Sequence, residues 1–189
     1  MDKSGASYFE VMIVGLGGQG ALLIGRLLAE AGMSKYRHVT YFSNYGGAMR
    51  GGETECTVIL SDEEIDSVIK LNSSATIIMG PASLEEYEKR VDPDGLLLLD
   101  GSLIPEKATN RKDLKVCYVP ATKIATELGD IRTSNFVLLG AYLNLIEAVP
   151  VKLVEELLEK KLKGEKWEGL LSLDKQALRA GAESITQEV

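Results

Sequence analysis

A short apolar run, Val11-Met12-Ile13-Val14, passes without a linker into Gly15-Leu16-Gly17-Gly18-Gln19-Gly20, and the glycines open directly onto a helical pattern from Ala21 to Ala31. Few folds admit that order. A continuous apolar run of this length reads as a strand covered on both faces. Leu22, Leu23, Leu27 and Leu28 recur at helical spacing, and Gly32 stands where a helix stop is expected. Strand, G-x-G-x-x-G and helix together form a βα turn whose backbone N–H groups and positive helix end face an anion. The chain therefore begins as a Rossmann-like α/β unit.

A second glycine-rich stretch, Tyr45-Gly46-Gly47-Ala48-Met49-Arg50-Gly51-Gly52, follows the strand His38-Val39-Thr40-Tyr41-Phe42 and the pair Ser43-Asn44. Glycine accepts backbone conformations closed to other residues and lets a ligand approach closely. One guanidinium between glycine pairs suits an anion or a partner surface. The two clusters are expected to end neighbouring strands and to meet at one edge of the sheet. The candidate cofactor-binding or subunit-interface residues are thus Gly15, Gly17, Gly18, Gln19, Gly20, Ser43, Asn44, Tyr45, Gly46, Arg50, Gly51 and Gly52.

Nicotinamide binding asks for an Asp or Glu at the end of the second strand to hold the ribose hydroxyls. Here that strand runs into Ser43-Asn44-Tyr45, with no carboxylate. A stand-alone Rossmann-like nucleotide-binding module or NAD-dependent enzyme is the alternative reading that this absence weighs against.

Further strands are expected at Glu53 to Leu60, Ala75 to Met79, Leu96 to Leu99 and Val116 to Val119. Glu53 and Glu55 fall on the wet face of their strand and read as solvated. Ser83 with Glu86 reads as a capping box opening a helix to about Val91, and Asp92-Pro93-Asp94-Gly95 as a turn. Helices follow over Ala121 to Leu128, with Gly129 as stop, then from Ser134 or Asn135 to Ala148, over Val151 to Leu162, and over Leu173 to Ile185. Trp167 lies in a polar loop, where it packs on its own helix or anchors an interface. The pattern gives a mainly parallel sheet with helices on both faces and a helical C-terminal part. No linker or repeat interrupts residues 1–189, so one domain is expected.

Composition narrows function by exclusion. The net charge is −7 and argues against nucleic acid and anionic membrane surfaces. The two cysteines, Cys56 and Cys117, form no C-x-x-C, which excludes a cysteine-ligated iron–sulfur cluster within the chain and argues against zinc. The N-terminal residues lack a signal-peptide core, and no apolar run approaches the ~20 residues that span a bilayer, so a cytoplasmic protein is expected. His38 is the one histidine, leaving no Ser-His-Asp or Cys-His set. No catalytic residue and no metal ligand is assigned. A nucleotide-like turn without a catalytic set suggests a subunit that completes another chain's active site.

The motifs Gly15-Leu16-Gly17-Gly18-Gln19-Gly20, Tyr45-Gly46-x-x-x-Arg50-Gly51-Gly52, Thr57-Val58-Ile59-Leu60-Ser61-Asp62, Gly95 to Leu99, Pro120-Ala121-Thr122 and Asn135 to Ala141 resemble the gamma subunit of 2-oxoacid:ferredoxin oxidoreductases over nearly the full chain. Met49 to Gly52 and Cys56 to Ile59 look closest to the 2-oxoglutarate branch, although Gly47-Ala48 replaces the Pro-Glu often found there. The resemblance implies a complex that decarboxylates a 2-oxoacid, passes electrons to ferredoxin and releases an acyl-CoA. It implies that thiamine diphosphate, Mg and iron–sulfur clusters sit in partner alpha, beta or delta subunits and none in this chain, with coenzyme A at the interface. It also implies that Arg50 contacts a coenzyme A phosphate or a partner carboxylate. A homodimer is the alternative for the isolated chain.

Overall fold

The computed structural model describes residues 7–45, 52–162 and 168–185. The elements are β1 (Tyr8–Leu16), α1 (Ala21–Gly32), β2 (His38–Tyr45), β3 (Glu53–Ser61), β4 (Ser73–Ile78), α2 (Leu84–Tyr87), β5 (Val91–Asp100), β6 (Lys115–Val119), α3 (Ala121–Leu128), α4 (Ser134–Ile146), α5 (Val151–Leu162) and α6 (Leu171–Ile185). Among the described residues, six strands make one sheet in the order β2-β3-β1-β4-β5-β6. β1, β4, β5 and β6 are parallel neighbours, and β3 runs antiparallel to both β1 and β2.

That order corrects one expectation: β2 is not the neighbour of β1. The long β2–β3 hairpin folds back so that β3 pairs with β1 along its whole length, from Tyr8↔Ser61 to Leu16↔Glu53. β3 alternates between an apolar helix-side face (Cys56, Val58, Leu60) and a mixed opposite face. It is buried from Cys56 onward and fits the centre of a sheet better than an edge.

Helices lie on both faces, unequally. Val11, Ile13, Cys56, Val58, Leu60, Ile77 and Leu98 pack against α1, α3, α4, α5 and α6. Met12, Val14, Ile78, Leu97 and Leu99 face the short α2 and the loop residue Ile104. α4 is buried continuously from Asn135 to Leu143 because other elements surround it, and its sequence is apolar on every side accordingly. It crosses α6 at two glycines: a Cβ on Gly140 would strike the Leu178 carbonyl, and one on Gly181 the Val137 carbonyl.

Several local expectations change. Gly32 is the last residue of α1 rather than its stop; its missing side chain makes room for Leu60 of β3. The Ser83–Glu86 capping box does not form. A 3₁₀ turn starting at Pro81 has already put Ser83 in the right-handed helical region, where its hydroxyl makes no cap bond, and α2 is four residues long. Asp92 to Gly95 is an excursion inside β5: Val91 pairs with Ser73 and Leu96 with Ala75, so it sits opposite Ser74 alone. α4 ends at Ile146 because Glu147 turns left-handed at φ 54°, whereas Gly129, at φ 109°, stops α3 as expected. Trp167 lies outside the described residues.

Candidate functional site

The glycine turn closes on itself. The Leu16 N–H donates to Gln19 Oε1 at 2.6 Å, and the Gln19 N–H donates back to the Leu16 carbonyl at 3.0 Å. Gly18 takes φ 101° and Gly20 takes φ 85°, the second serving as N-cap of α1. A Cβ on Gly18 would meet nothing, so the turn is open there; one on Gly20 would strike the Asn135 side chain, which is 3% exposed. Leu23 and Ile24 both donate to the Gly20 carbonyl, and the N–H groups of Ala21 and Leu22 precede that first helical bond.

The turn stands at the carboxyl end of β1. From there the chain runs to β2 and β3 on one side of β1, then crosses to β4 on the other. Ligand crevices of open α/β sheets lie at such a reversal. Gly80, just past β4, faces the Gln19 amide across it. A dinucleotide fold would place the second strand beside the first; here β3 takes that position, which removes the ribose-binding geometry along with the missing acid.

The two described ends of the second cluster, Tyr45 and Gly52, come to the same end of the sheet through β3. Ser43 pairs with Cys56, Asn44 with Glu55 and Tyr45 with Thr54. The Gly17 N–H donates to the Gly52 carbonyl at 2.8 Å, and Thr54 Oγ1 donates to the Gly15 carbonyl at 3.1 Å. Gly15, Gly17, Gly18, Gln19, Gly20 and Gly52 are therefore gathered in one place, with Ser43 and Asn44 two strands from the turn. Gly46, Arg50 and Gly51 lie outside the described residues, as does the Tyr45 side chain.

The sequence reading missed the fate of Glu55. It is not solvated: its side chain is 14% exposed and accepts bonds from Tyr87 Oη at 2.6 Å and Arg90 Nη1 at 2.8 Å. Burial pushes its pKa up, but the Tyr87 and Arg90 hydrogen bonds outweigh that and hold the carboxyl below its ordinary value. The Arg90 guanidinium also stacks 4.8 Å from the Tyr87 ring centre. Asp100 was missed as well. At the end of β5, 1% exposed, it accepts from the Ser102 N–H and from both the N–H and Oγ1 of Thr122, fixing the start of α3. Both acids thus serve as anchors.

Burial pushes the Cys56 thiol up to about 12, so it is not a thiolate. Among the described residues, no group of three or more His, Cys, Asp or Glu is placed to hold a metal, and no helix is long and apolar enough to cross a membrane.

The sequence matches the pyruvate ferredoxin/flavodoxin oxidoreductase family over residues 10–184. It is 30% identical over 180 residues to the ketoisovalerate oxidoreductase subunit VorA of Methanothermobacter thermautotrophicus, covering 95% of this chain and 37% of that one. It is 28% identical to the 2-oxoglutarate synthase subunit KorC of Methanocaldococcus jannaschii, covering 88% of this chain and 90% of the relative. The crystal structure of pyruvate oxidoreductase subunit PORC from Thermotoga maritima superimposes with a TM-score of 0.71 at 28% identity, covering 94% of this chain and 96% of that one. The chain spans only 28% and 37% of the two VorA proteins it matches.

Proposed function

Because the chain belongs to the pyruvate ferredoxin/flavodoxin oxidoreductase family, we propose that it is the gamma subunit of a complex that oxidatively decarboxylates 2-oxoglutarate to an acyl-CoA and reduces ferredoxin. The observation that carries this reading is the open glycine turn at the sheet's reversal point, joined by the Gly17–Gly52 bond to the residue that follows Arg50-Gly51 in the second cluster. Such a surface borders a site that other subunits complete. The 2-oxoglutarate branch draws support from the KorC relative, matched along most of both lengths, and from Met49 to Gly52.

The donor set decides what this chain can hold. A buried, protonated Cys56 and the lack of any clustered metal ligands among the described residues do not fit an iron–sulfur cluster or the Mg of thiamine diphosphate. In this reading those groups belong to alpha, beta or delta partners. The open space at Gly18 and the N–H groups of Ala21 and Leu22 do fit a phosphate of coenzyme A. When bound, coenzyme A supplies the thiol that takes the acyl group. Gln19 keeps the turn in shape, and Arg50 adds charge.

The test is co-expression with the thiamine-binding subunits, followed by a panel of oxoacids. 2-Oxoglutarate is expected to give the highest kcat/KM, and Arg50→Ala to raise the KM for coenzyme A about tenfold, the loss of one charged hydrogen bond. Failure to co-purify sinks the subunit reading, and preference for pyruvate or ketoisovalerate sinks the branch.

A further inference from the structure

The 62–72 loop has no regular secondary structure and lies on the helix-poor side of the sheet, where Lys70 Nζ stands 3.4 Å from Glu10 Oε2. It is pinned at three places. Lys70 is drawn inward to Glu10, Arg90 Nε donates to the Leu71 carbonyl at 2.9 Å, and Ser67 Oγ bonds both the N–H and the carbonyl of Ile69. These anchors hold three aliphatic side chains outward: Val68 is 45% exposed, Ile69 59% and Leu71 81%. The loop's single cation is spent on Glu10, while Glu63, Glu64 and Asp66 remain exposed with no ion pair among the described residues. The loop's outward surface therefore carries aliphatic side chains with these three carboxylates on their N-terminal side, while the nearby cations Lys70 and Arg90 are engaged by Glu10 and Glu55.

Resting on the gamma-subunit reading, we infer that Val68, Ile69 and Leu71 form the centre of a docking surface for a basic patch on a larger subunit of the complex, with Glu63, Glu64 and Asp66 as its complementary rim. Apolar clusters ringed by polar groups mark protein contacts. The acidic rim repels nucleic acid and anionic lipid. It also opposes a second copy of this chain, which would set one acidic rim against another. A protein surface carrying Lys or Arg around an aliphatic pocket satisfies both parts, the charges steering encounter and the aliphatic centre slowing dissociation.

The experiment measures association of the full chain with the thiamine-binding subunits across a salt series. Ile69→Ser with Leu71→Ser is expected to raise Kd by about 30-fold or more, as loss of a hot-spot centre does. Glu63→Gln, Glu64→Gln and Asp66→Asn together are expected to slow association about tenfold and flatten its salt dependence. Ile131→Ser with Leu145→Ser, exposed elsewhere, serves as control and is expected to bind like wild type. Thermal unfolding of each free variant separates docking from folding. Wild-type-like binding by both loop variants overturns this surface and leaves the gamma-subunit reading standing. No binding by the wild-type chain overturns that reading and this surface with it. Self-association lost in the Leu71 variant assigns the surface to a second copy and overturns the proposal.

Discussion

Gln19 returns its side-chain oxygen to the N–H of Leu16, 2.6 Å away, while its own N–H bonds the Leu16 carbonyl. The glycine turn is thus locked by a reciprocal pair rather than left flexible. Gln19→Ala should destabilise the chain by about 1 kcal/mol, the net value of one hydrogen bond. It should lower the activity of the reconstituted complex by more than that loss explains, because the turn shapes the proposed ligand surface. Gln19→Glu keeps an acceptor and should retain the stability. Urea unfolding alongside turnover tests this; an alanine variant matching wild type in both would remove Gln19 from the site.

Gly18 and Gly20 share a left-handed backbone but differ in surroundings, which separates their substitutions. Alanine at either position pays about 1–2 kcal/mol for the left-handed conformation. Only at Gly20 does it also collide with Asn135. Gly20→Ala should therefore be the more costly by a further ~1 kcal/mol or more, and Asn135→Ala in the same chain should recover part of that difference. Denaturant midpoints for the singles and the double close the cycle. Equal costs for the two glycines would show that Asn135 does not constrain the turn.

The parts of this architecture that sequence can announce are those encoded locally. The strand–glycine–helix unit at Val11 to Ala31, the apolar strands at Ile77 and Leu96 to Leu99, and the stop at Gly129 are all written in adjacent residues. Strand order is not: a period-two pattern at Glu53 to Leu60 does not say whether the strand lies outside β2 or folds back between β2 and β1. The role of Glu55 is hidden for a similar reason, since its partners stand 32 and 35 residues away in the sequence. Asp-Pro-Asp-Gly reads alike as a hairpin turn or as an excursion within one strand. The placement of Arg50 lies outside the described residues, so its role rests on sequence alone.

Glu55, Tyr87 and Arg90 act as one clamp between β3 and the α2 side of the sheet. Arg90→Ala leaves a largely buried carboxylate short of its cation and should cost about 3 kcal/mol at neutral pH, the lower end for breaking a buried pair, since Arg90 is itself 23% exposed. Tyr87→Phe removes one bond to a charged group and should cost about 2 kcal/mol. Because the folded-state pKa of Glu55 lies below its ordinary 4.5, the stabilisation is present above that value and is lost as pH falls through the depressed pKa. Unfolding at pH 7 and again in acid should show the Arg90→Ala penalty shrinking in acid. A penalty independent of pH would mean that Arg90 acts through packing alone.

Asp174 has the opposite sign. It sits in the first turn of α6, 7% exposed, and burial followed by the nearby Asp130 carboxylate raises its pKa to about 6 from an ordinary 3.8, with Arg132 opposing. Arg132 is already committed to Asp130, so it relieves little of that burial. The folded chain holds this proton more tightly than the unfolded chain, so stability declines as pH rises from about 4 to 6 and the penalty persists above. The full shift would correspond to about 3 kcal/mol. Solvent screening of the Asp130 repulsion, which contributes to the upward shift, argues for a smaller effect, about 1–2 kcal/mol. Asp174→Asn should therefore stabilise the chain by about 1–2 kcal/mol at pH 7, with the gain vanishing near pH 4. Thermal melts of both proteins across that range check it. A destabilised Asn variant at pH 7 would show that the Asp174 carboxylate is held in the folded chain by the helix start and Arg132 more strongly than burial disfavours it.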